Sequence, residues 1–387
     1  MSNKYRVKSN TTDQLEPALS QADFHELLYQ QVRLAVRTVL ELVMKTELSE
    51  FLVAGFKERT GERQGQRNGY YHRDFNTAVG SIQKLKVPRD RAGQFHTQVF
   101  ERYERNDESV TAAIAQMFFS GVSQAKVGEI TEPLMGVHPS PSTVSRLAHD
   151  LDSECEEWRN RPLKEHYRVI YADAVYFPIL HESGRDQSAL LVALGVDMDG
   201  DKEVLAVKVG NEESRASWET FLLELQKRGV GEVDLVVTDG DAGLIGAISR
   251  VWPSAKRQRC LLHKMRNVLA HIPKRKKKEV GEVLSGIFAC EDEAGAKEQL
   301  AAFKFRYEKD YPEGVKSLLE DEEACLTYYQ FGKAMRRHIR TTNPLESLFS
   351  TVRRRTNSMG VFQTEQSCLL MFWAVVKSTK LKRIPVA

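Results

Sequence analysis

The sequence has no Cys-x-x-Cys pair, and its five cysteines (Cys155, Cys260, Cys290, Cys325 and Cys368) are odd in number and far apart. A disulfide framework is therefore not what holds the fold, and a reducing compartment is expected. No apolar run approaches the ~18–20 residues that cross a bilayer. The opening MSNKYRVKSNTTDQLEP offers no apolar stretch for a secretory signal. A cytoplasmic protein with no membrane partner is the expectation. A large charge excess is also missing: 56 Lys and Arg face 53 Asp and Glu, a formal net charge of +3. Bulk charge thus says nothing for a polyanionic partner, and only its distribution can. What is present is 41% hydrophobic residues in 387, enough for a real core spread over two or three domains.

From Asp23 to about Gly55, Leu27, Leu28, Val32, Ala35, Val36, Val39, Leu40 and Val43 recur at helical spacing. Residues 57–91 then concentrate Arg59, Arg63, Arg67, Arg73, Lys84, Lys86, Arg89 and Arg91 among Tyr70, Tyr71, His72 and Phe75. Gly61, Gly65, Gly69 and Gly80 break any long helix there, which predicts a basic loop followed by a strand or hairpin near 77–87. Such a stretch is either a solvated charged face or a phosphate-gripping arm with aromatic residues for stacking. Residues 107–152 read as three helices, the first stopped by Gly121. The second is capped by Ser123 and ended by Pro133 and Gly136, and the third opens at Ser140-Pro141. In the third, Val144, Leu147, Ala148 and Leu151 share a face, leaving Ser142, Thr143, Ser145, Arg146 and His149 outside. A helix-turn-helix reading DNA and a plain helical linker both fit that pattern.

From about residue 166 the texture is α/β. RVIYADA (168–174), ALLVALGVDM (189–198) and EVLAVKVG (203–210) read as an antiparallel meander. A helix near 214–228, the apolar strand VDLVVTD (233–239), a helix over 243–252 and a short strand AKRQRC (255–260) follow. That order is the order of an RNase H-like core. Residues 262–335, with KRKKK at 274–278, read as a charged helical insertion, and a final helix begins near Pro344.

Asp173 falls inside a strand and Asp239 ends another, places where an acid is costly unless paired or metal-bound. Asp241, and less so Asp234, rival Asp239. Glu346 lies beside the stripe Leu345, Leu348, Phe349 and Val352, and Asn343-Pro344-x-Glu346 equally spells a capping box. Two strand aspartates and a helix glutamate can hold two divalent ions ~3.5–4 Å apart for phosphoryl transfer. Oxygen ligands of this kind suit Mg²⁺ or Mn²⁺. Strand-end turn acids are the plainer reading.

RNGYYHRDF (67–75), VPRDRAGQF (87–95), SGVSQAKVGEI, SPSTVSRL, YADAVYF (171–177), GNEESRASWETFLLELQKRGV (210–230), VVTDGDAGLIGAI (236–248), QRCLLHKMRN (258–267) and TTNPLESLFSTVRRRT (341–356) occur in this order. Over about residues 50–375 the sequence resembles the Mutator-type transposases of bacterial insertion sequences. Little of that likeness is seen over 1–45, and VFQTEQS lacks an expected Phe-Pro. The resemblance implies a DDE triad in an RNase H-like fold, with a helical insertion between the second and third acids. Carried over, the triad is Asp173, Asp239 and Glu346, 66 and then 107 residues apart. It also implies that Cys260 and His263 form the family's short Cys/His motif, expected to position the insertion or the DNA near the triad. No second Cys/His pair at suitable spacing makes this a zinc site.

The resulting expectation is an α/β protein: an RNase H-like core with a helical insertion, preceded by a mostly helical DNA-binding region. Its parts are 1–105, helical and basic; 106–160, helix-turn-helix-like; 161–261, the first part of the core; 262–338, the insertion; and 339–387, the last core helix and tail. Arg67, Arg73, Arg89, Arg91, Ser142, Thr143, Arg146, Arg353 and Arg354 are the expected DNA contacts. Two Mg²⁺ (or Mn²⁺) ions are the expected cofactors. The expected partner is double-stranded DNA, as the element's terminal inverted repeats and target DNA, bound by a homodimer. Two other readings compete. His263-Lys-Met-Arg266 spells the HxxR of a tyrosine recombinase, with Tyr307, Tyr311, Tyr328 and Tyr329 downstream. A catalytically retired, sequence-specific DNA-binding protein is the other.

Overall fold

The computed structural model describes residues 20–101, 104–120, 122–149, 151–181, 184–210, 214–357 and 360–386. The chain divides into two compact units. One holds residues up to Gln116 together with Gln124–Leu147; the other holds Met117–Ser123 and the chain from Ala148 onward.

In the first unit, helix α1 (Gln21–Phe51) starts at a capping box in which Ser20 and Asp23 satisfy each other's backbone N–H. Strands β1 (Arg67–Thr77) and β2 (Gly80–Asp90) form an antiparallel hairpin turning at Gly80, whose φ is +117°. The hairpin spans Arg67–Asp90, longer than the strand or hairpin expected near 77–87, and takes in part of the expected loop. Gly69 sits at φ +65° beside a register shift between Arg67 and Tyr70, so it bends the strand as a bulge instead of ending it. Met44, Phe75, Ile82, Leu85, Val87 and Phe100 form the core, with Val36 and Leu40 packed on them.

Helices α2 (Glu108–Phe119), α3 (Gln124–Met135) and α4 (Pro141–His149) follow. Pro133 lies inside α3, which stops only at Gly136, a left-handed residue at φ +66°. Buried Thr131 donates to Val137 O at 2.6 Å and fastens the turn to α3. Ser140 caps α4, its Oγ accepting from Thr143 N–H at 3.2 Å.

In the second unit, α5 (Asp152–Asn160) precedes β3 (His166–His181), β4 (Gly184–Val196) and β5 (Lys202–Gly210). Then come α6 (Arg215–Lys227), β6 (Glu232–Thr238), α7 (Ala242–Val251) and β7 (Lys256–Arg259). The sheet order is β5-β4-β3-β6-β7; β3, β4 and β5 are antiparallel neighbours, while β6 runs parallel to β3 and β7 parallel to β6. Ile170 and Ala172 on β3, Leu191 and Ala193 on β4 and Val236 on β6 pack with Trp218, Phe221 and Leu222 of α6 and Leu244 and Ile248 of α7. Side chains alternate across a strand, so Tyr171 and Asp173 project from the other face.

On that face Tyr171 OH donates to His338 O. Helices α8 (Leu261–Ala270), α9 (Lys277–Ile287), α10 (Glu293–Tyr307), α11 (Pro312–Leu319), α12 (Glu322–Leu326) and α13 (Lys333–Ile339) follow β7, where a charged helical insertion was expected. They lead to α14 (Asn343–Thr356), which packs on β3, and α15 (Glu365–Ser378). Helix α15 was not foreseen. Its run LLMFWAVV is almost wholly buried, and it packs against α5 and β5. Farther on, Ile384 N–H donates to Gly200 O, and a Cβ on Gly200 would lie 2.1 Å from Ile384 O. Among the described residues no helix is long and apolar enough to cross a membrane.

Candidate active site

Asp173 and Asp239 come from neighbouring parallel strands. The β3–β6 register pairs Tyr171 with Val237. Two residues on in each strand stand Asp173 and Asp239, at the same level on strands spaced ~4.8 Å apart. Asp239 follows the last residue of β6, at the carboxyl end of a parallel strand where α/β sites form. Asp173 is 9% exposed, and its Oδ1 accepts from Ala174 N–H at 2.8 Å. Asp239 Oδ1 accepts from Asp241 N–H at 3.0 Å. The two rivals have other tasks. Asp241 caps α7 through Leu244 N–H, and Asp234 binds His166 and Arg168 at 2.8 and 2.6 Å.

Glu346 is placed by a set of bonds that converge on Cys260. Cys260 N–H donates to Thr238 O at 2.7 Å, one residue before Asp239. Its sulfur accepts from the backbone N–H and the hydroxyl of Thr342, both at 3.4 Å. Leu261 N–H donates to Arg340 O at 2.9 Å, and Tyr171 OH, two residues before Asp173, donates to His338 O at 2.9 Å. The segments carrying all three acids are thus tied together beneath the site. Thr342, not Asn343, is the N-cap of α14, and its side chain makes no capping bond. Glu346 therefore sits beyond the capping-box position, its N–H bonded to Thr342 O.

The Glu346 carboxylate is turned toward α8. His263 Nε2 and Arg266 Nη1 each lie 3.7 Å from its Oε1. The His263 pKa is pushed up, first by the Cys260 sulfur against the cost of burial, then by the fields of Asp173 and Asp239. One imidazole thus feels all three acids. Burial alone would raise the Cys260 thiol, but its contacts with His263 and Thr342 outweigh that and hold it below its ordinary value. Arg266 was missed as a site residue because HxxR was weighed as a recombinase motif. The signal that could have found it is helical spacing: Arg266 is three residues after His263, on the same face of α8.

Below the second acid, Gly240 has φ +91° and a Cβ there would lie 0.8 Å from Arg259 Nη1. Arg259 is 5% exposed, and it is balanced by Asp321 together with Arg257 and with Lys264, itself 2% exposed. The donor set, three carboxylates, is of the kind hard divalent ions take. Its oxygens are less closely gathered than those of a second group on the same two strands. Donor atoms of His166, Glu232 and Asp234, at the amino ends of β3 and β6, all lie within 4.8 Å of one another. Arg168 already occupies Asp234 and Glu232 is largely exposed, which makes that group an ion-pair cluster.

The family model described as "Transposase, Mutator family" matches residues 9–383. The chain belongs to the Mutator family of transposases. The match reaches past both ends of the likeness seen in sequence, into α1 and through α15. A transposase for insertion sequence element ISRM5 of Rhizobium meliloti is 37% identical over 348 residues, 90% of this chain and 87% of its own length. The transposase for element IS256 in transposon Tn4001 of Staphylococcus aureus is 36% identical, covering 88% and 87%. That for IS905 of Lactococcus lactis is 32% identical, covering 92% and 90%. This chain is an insertion-sequence transposase of that family.

The expected DNA contacts divide by environment. Arg89, Arg91, Ser142, Arg146, Arg353 and Arg354 are exposed, and Thr143 is half-buried. Arg73 is half-buried with its guanidinium 4.1 Å from the Phe100 ring centroid. Arg67 is occupied: it donates to Gly55 O, Ala54 O and Ser49 Oγ, each at 2.8 Å, fastening β1 to the end of α1.

Proposed function

We propose that this transposase binds the terminal inverted repeats of its own insertion sequence and cuts and rejoins DNA at Asp173, Asp239 and Glu346. The observation that carries this is the level placement of two aspartates on adjacent parallel strands, with Glu346 tied in through Cys260. The strand order, with an antiparallel meander beside two parallel strands and a helical insertion before the third acid, supports reading the sheet as an RNase H-like core. The three carboxylates would hold two Mg²⁺ (or Mn²⁺) ions, which supply activation of the attacking oxygen and charge relief at the leaving one. His263 and Arg266 orient Glu346, and Arg266, largely exposed, extends a cation toward incoming phosphate. Arg353 lies two turns beyond Glu346 on nearly the same face, about 10 Å along the axis. It grips a phosphate flanking the cut, with Arg354 beside it.

In this reading residues 106–160 read the repeats. Ser142, Thr143 and Arg146 of α4 project from the second helix of a helix-turn-helix. Arg73, Arg89 and Arg91 of the hairpin grip phosphate, and Arg67 secures the strand beneath them. The remaining parts keep the bounds given above, 1–105 contacting DNA and 262–338 inserted in a core of 161–261 and 339–387. The protein acts as a homodimer on its element's ends and on target DNA, in the cytoplasm at the nucleoid.

The test is incubation of the purified protein with its own element ends and Mg²⁺, mapping strand breaks to the nucleotide. Asp173→Asn, Asp239→Asn and Glu346→Gln are each expected to abolish cleavage while end binding and folding persist. Substantial Mg²⁺-dependent cleavage by any of the three removes that residue from the set. Binding without any cleavage by the native sequence would favour a retired transposase.

A further inference from the structure

Helix α1 carries apolar residues on two faces. One face, Val36, Leu40 and Met44, packs on the hairpin. Its charged residues are committed to the same side: Arg37 donates to Lys84 O, and Glu41 accepts from Arg37 and from Lys86 N–H. A second face, about a third of a turn away, has no charge between residues 28 and 42, though Leu27, Tyr29 and Leu34 are also exposed beside it. Leu28, Ala35, Val39 and Leu42 are exposed there and Val32 half-exposed, with Leu28 at 47%, Val39 at 57% and Leu42 at 62%. Phe24 and Val43, 55% and 41% exposed, flank the stripe.

The spacing of these residues selects a partner. Residues 28, 32, 35, 39 and 42 alternate by four and three, the 3.5-residue repeat of a two-helix seam. Val32 and Val39 then take the a positions, and Leu28, Ala35 and Leu42 the d positions. β-Branched residues at a with leucine at d favour a parallel dimer. With its flanking residues the face is a contiguous exposed apolar patch, the kind of surface that marks an interaction site.

We propose that α1 pairs with α1 of a second copy of this chain, as a short parallel coiled coil with its seam at Leu28, Val32, Ala35, Val39 and Leu42. This deepens the homodimer reading above, supplying the surface on which two protomers meet and placing their pairing before DNA is bound. The test therefore uses the full chain without DNA. Light scattering at micromolar concentration is expected to give twice the chain mass, and Val39→Asp with Leu42→Asp to give a single chain with an unchanged circular dichroism spectrum. In a Cys290→Ser background, Val39→Cys is expected to form a disulfide-linked dimer on oxidation. Gln30→Cys, on the far side of the helix, is expected to stay monomeric on a non-reducing gel. A native chain of single mass overturns the proposal. So does a doubly substituted chain that remains dimeric, or a Gln30→Cys crosslink as efficient as that at 39. A native chain of single mass that still cuts its element ends would overturn this pairing and leave the acidic site standing.

Discussion

Gly240 shows how tightly the residues around the second acid are fitted. Its φ of +91° suits glycine alone, and the space a Cβ needs is filled by the guanidinium of a buried arginine, Arg259. Gly240→Ala therefore combines left-handed strain, of order 1–3 kcal/mol, with displacement of a buried charge from Asp321. We expect a clear fall in melting temperature and loss of cleavage, because Asp239 is the preceding residue. An alanine variant that melts and cuts like the native chain would show that Arg259 moves aside freely. That Asp173 would lie within a strand and Asp239 at the end of one was legible in sequence, since each follows or interrupts an apolar run. What held Glu346 was not. The capping-box reading failed by one residue, because bonds from Thr342 to a sulfur 82 positions away set where α14 begins. Likewise Arg266 could be placed in the site only once α8 and α14 were known to face each other.

At the scale of elements, the least legible feature is how the insertion is locked to the sheet. Asp321, just before α12, faces Arg257 and Arg259 of β7 and Lys264 of α8. Three cations and one carboxylate leave no spare negative charge, and Lys264 is 2% exposed. Burial alone would raise the Asp321 pKa, but the fields of Lys264, Arg257 and Arg259 outweigh it and hold the carboxyl below its ordinary value. A carboxyl depressed on folding stabilises above its unfolded pKa, and that contribution is lost as pH falls through its folded value. Asp321→Asn strands a buried ammonium and should cost about 3–5 kcal/mol at neutral pH. Denaturant titration is expected to show that gap at pH 7, shrinking progressively below about pH 4 as the native carboxyl protonates. A gap that is absent at pH 7, or constant down to strong acid, would assign the site a different balance. Sequence could not show this, since Asp321 is one acid among many in a charged helical run. The helices were legible from their periodicity, and the hairpin was underestimated because its glycines read as breakers. Helix α15 escaped because its apolar run has no polar face to set a period.

At the scale of the whole molecule, the three acids belong to one compact unit, while the hairpin cations and Arg146 belong to the other. Between residues 57 and 91 nine Lys and Arg stand against four Asp and Glu. The small net charge of the chain therefore conceals a strongly basic segment, a charge distribution that suits the proposed grip on DNA phosphate. On the proposed reading the recognition residues and the acids fall in different units, so recognition and chemistry should be separable by independent perturbations. Chelating divalent ions should abolish cleavage while changing affinity for end DNA by less than about threefold, because hairpin and α4 contacts need no metal. Arg146→Ala should do the reverse. Affinity for end DNA is expected to fall by about tenfold or more, the effect of losing one good base or phosphate contact, while single-turnover cleavage at saturating DNA stays near native. Fluorescence anisotropy and a single-turnover assay on the same substrate read both quantities. If chelation weakens binding as far as it weakens cleavage, the acidic site itself grips the ends through its ions. If Arg146→Ala leaves affinity unchanged in a folded protein, α4 is a linker, and the basic hairpin is then left to carry recognition.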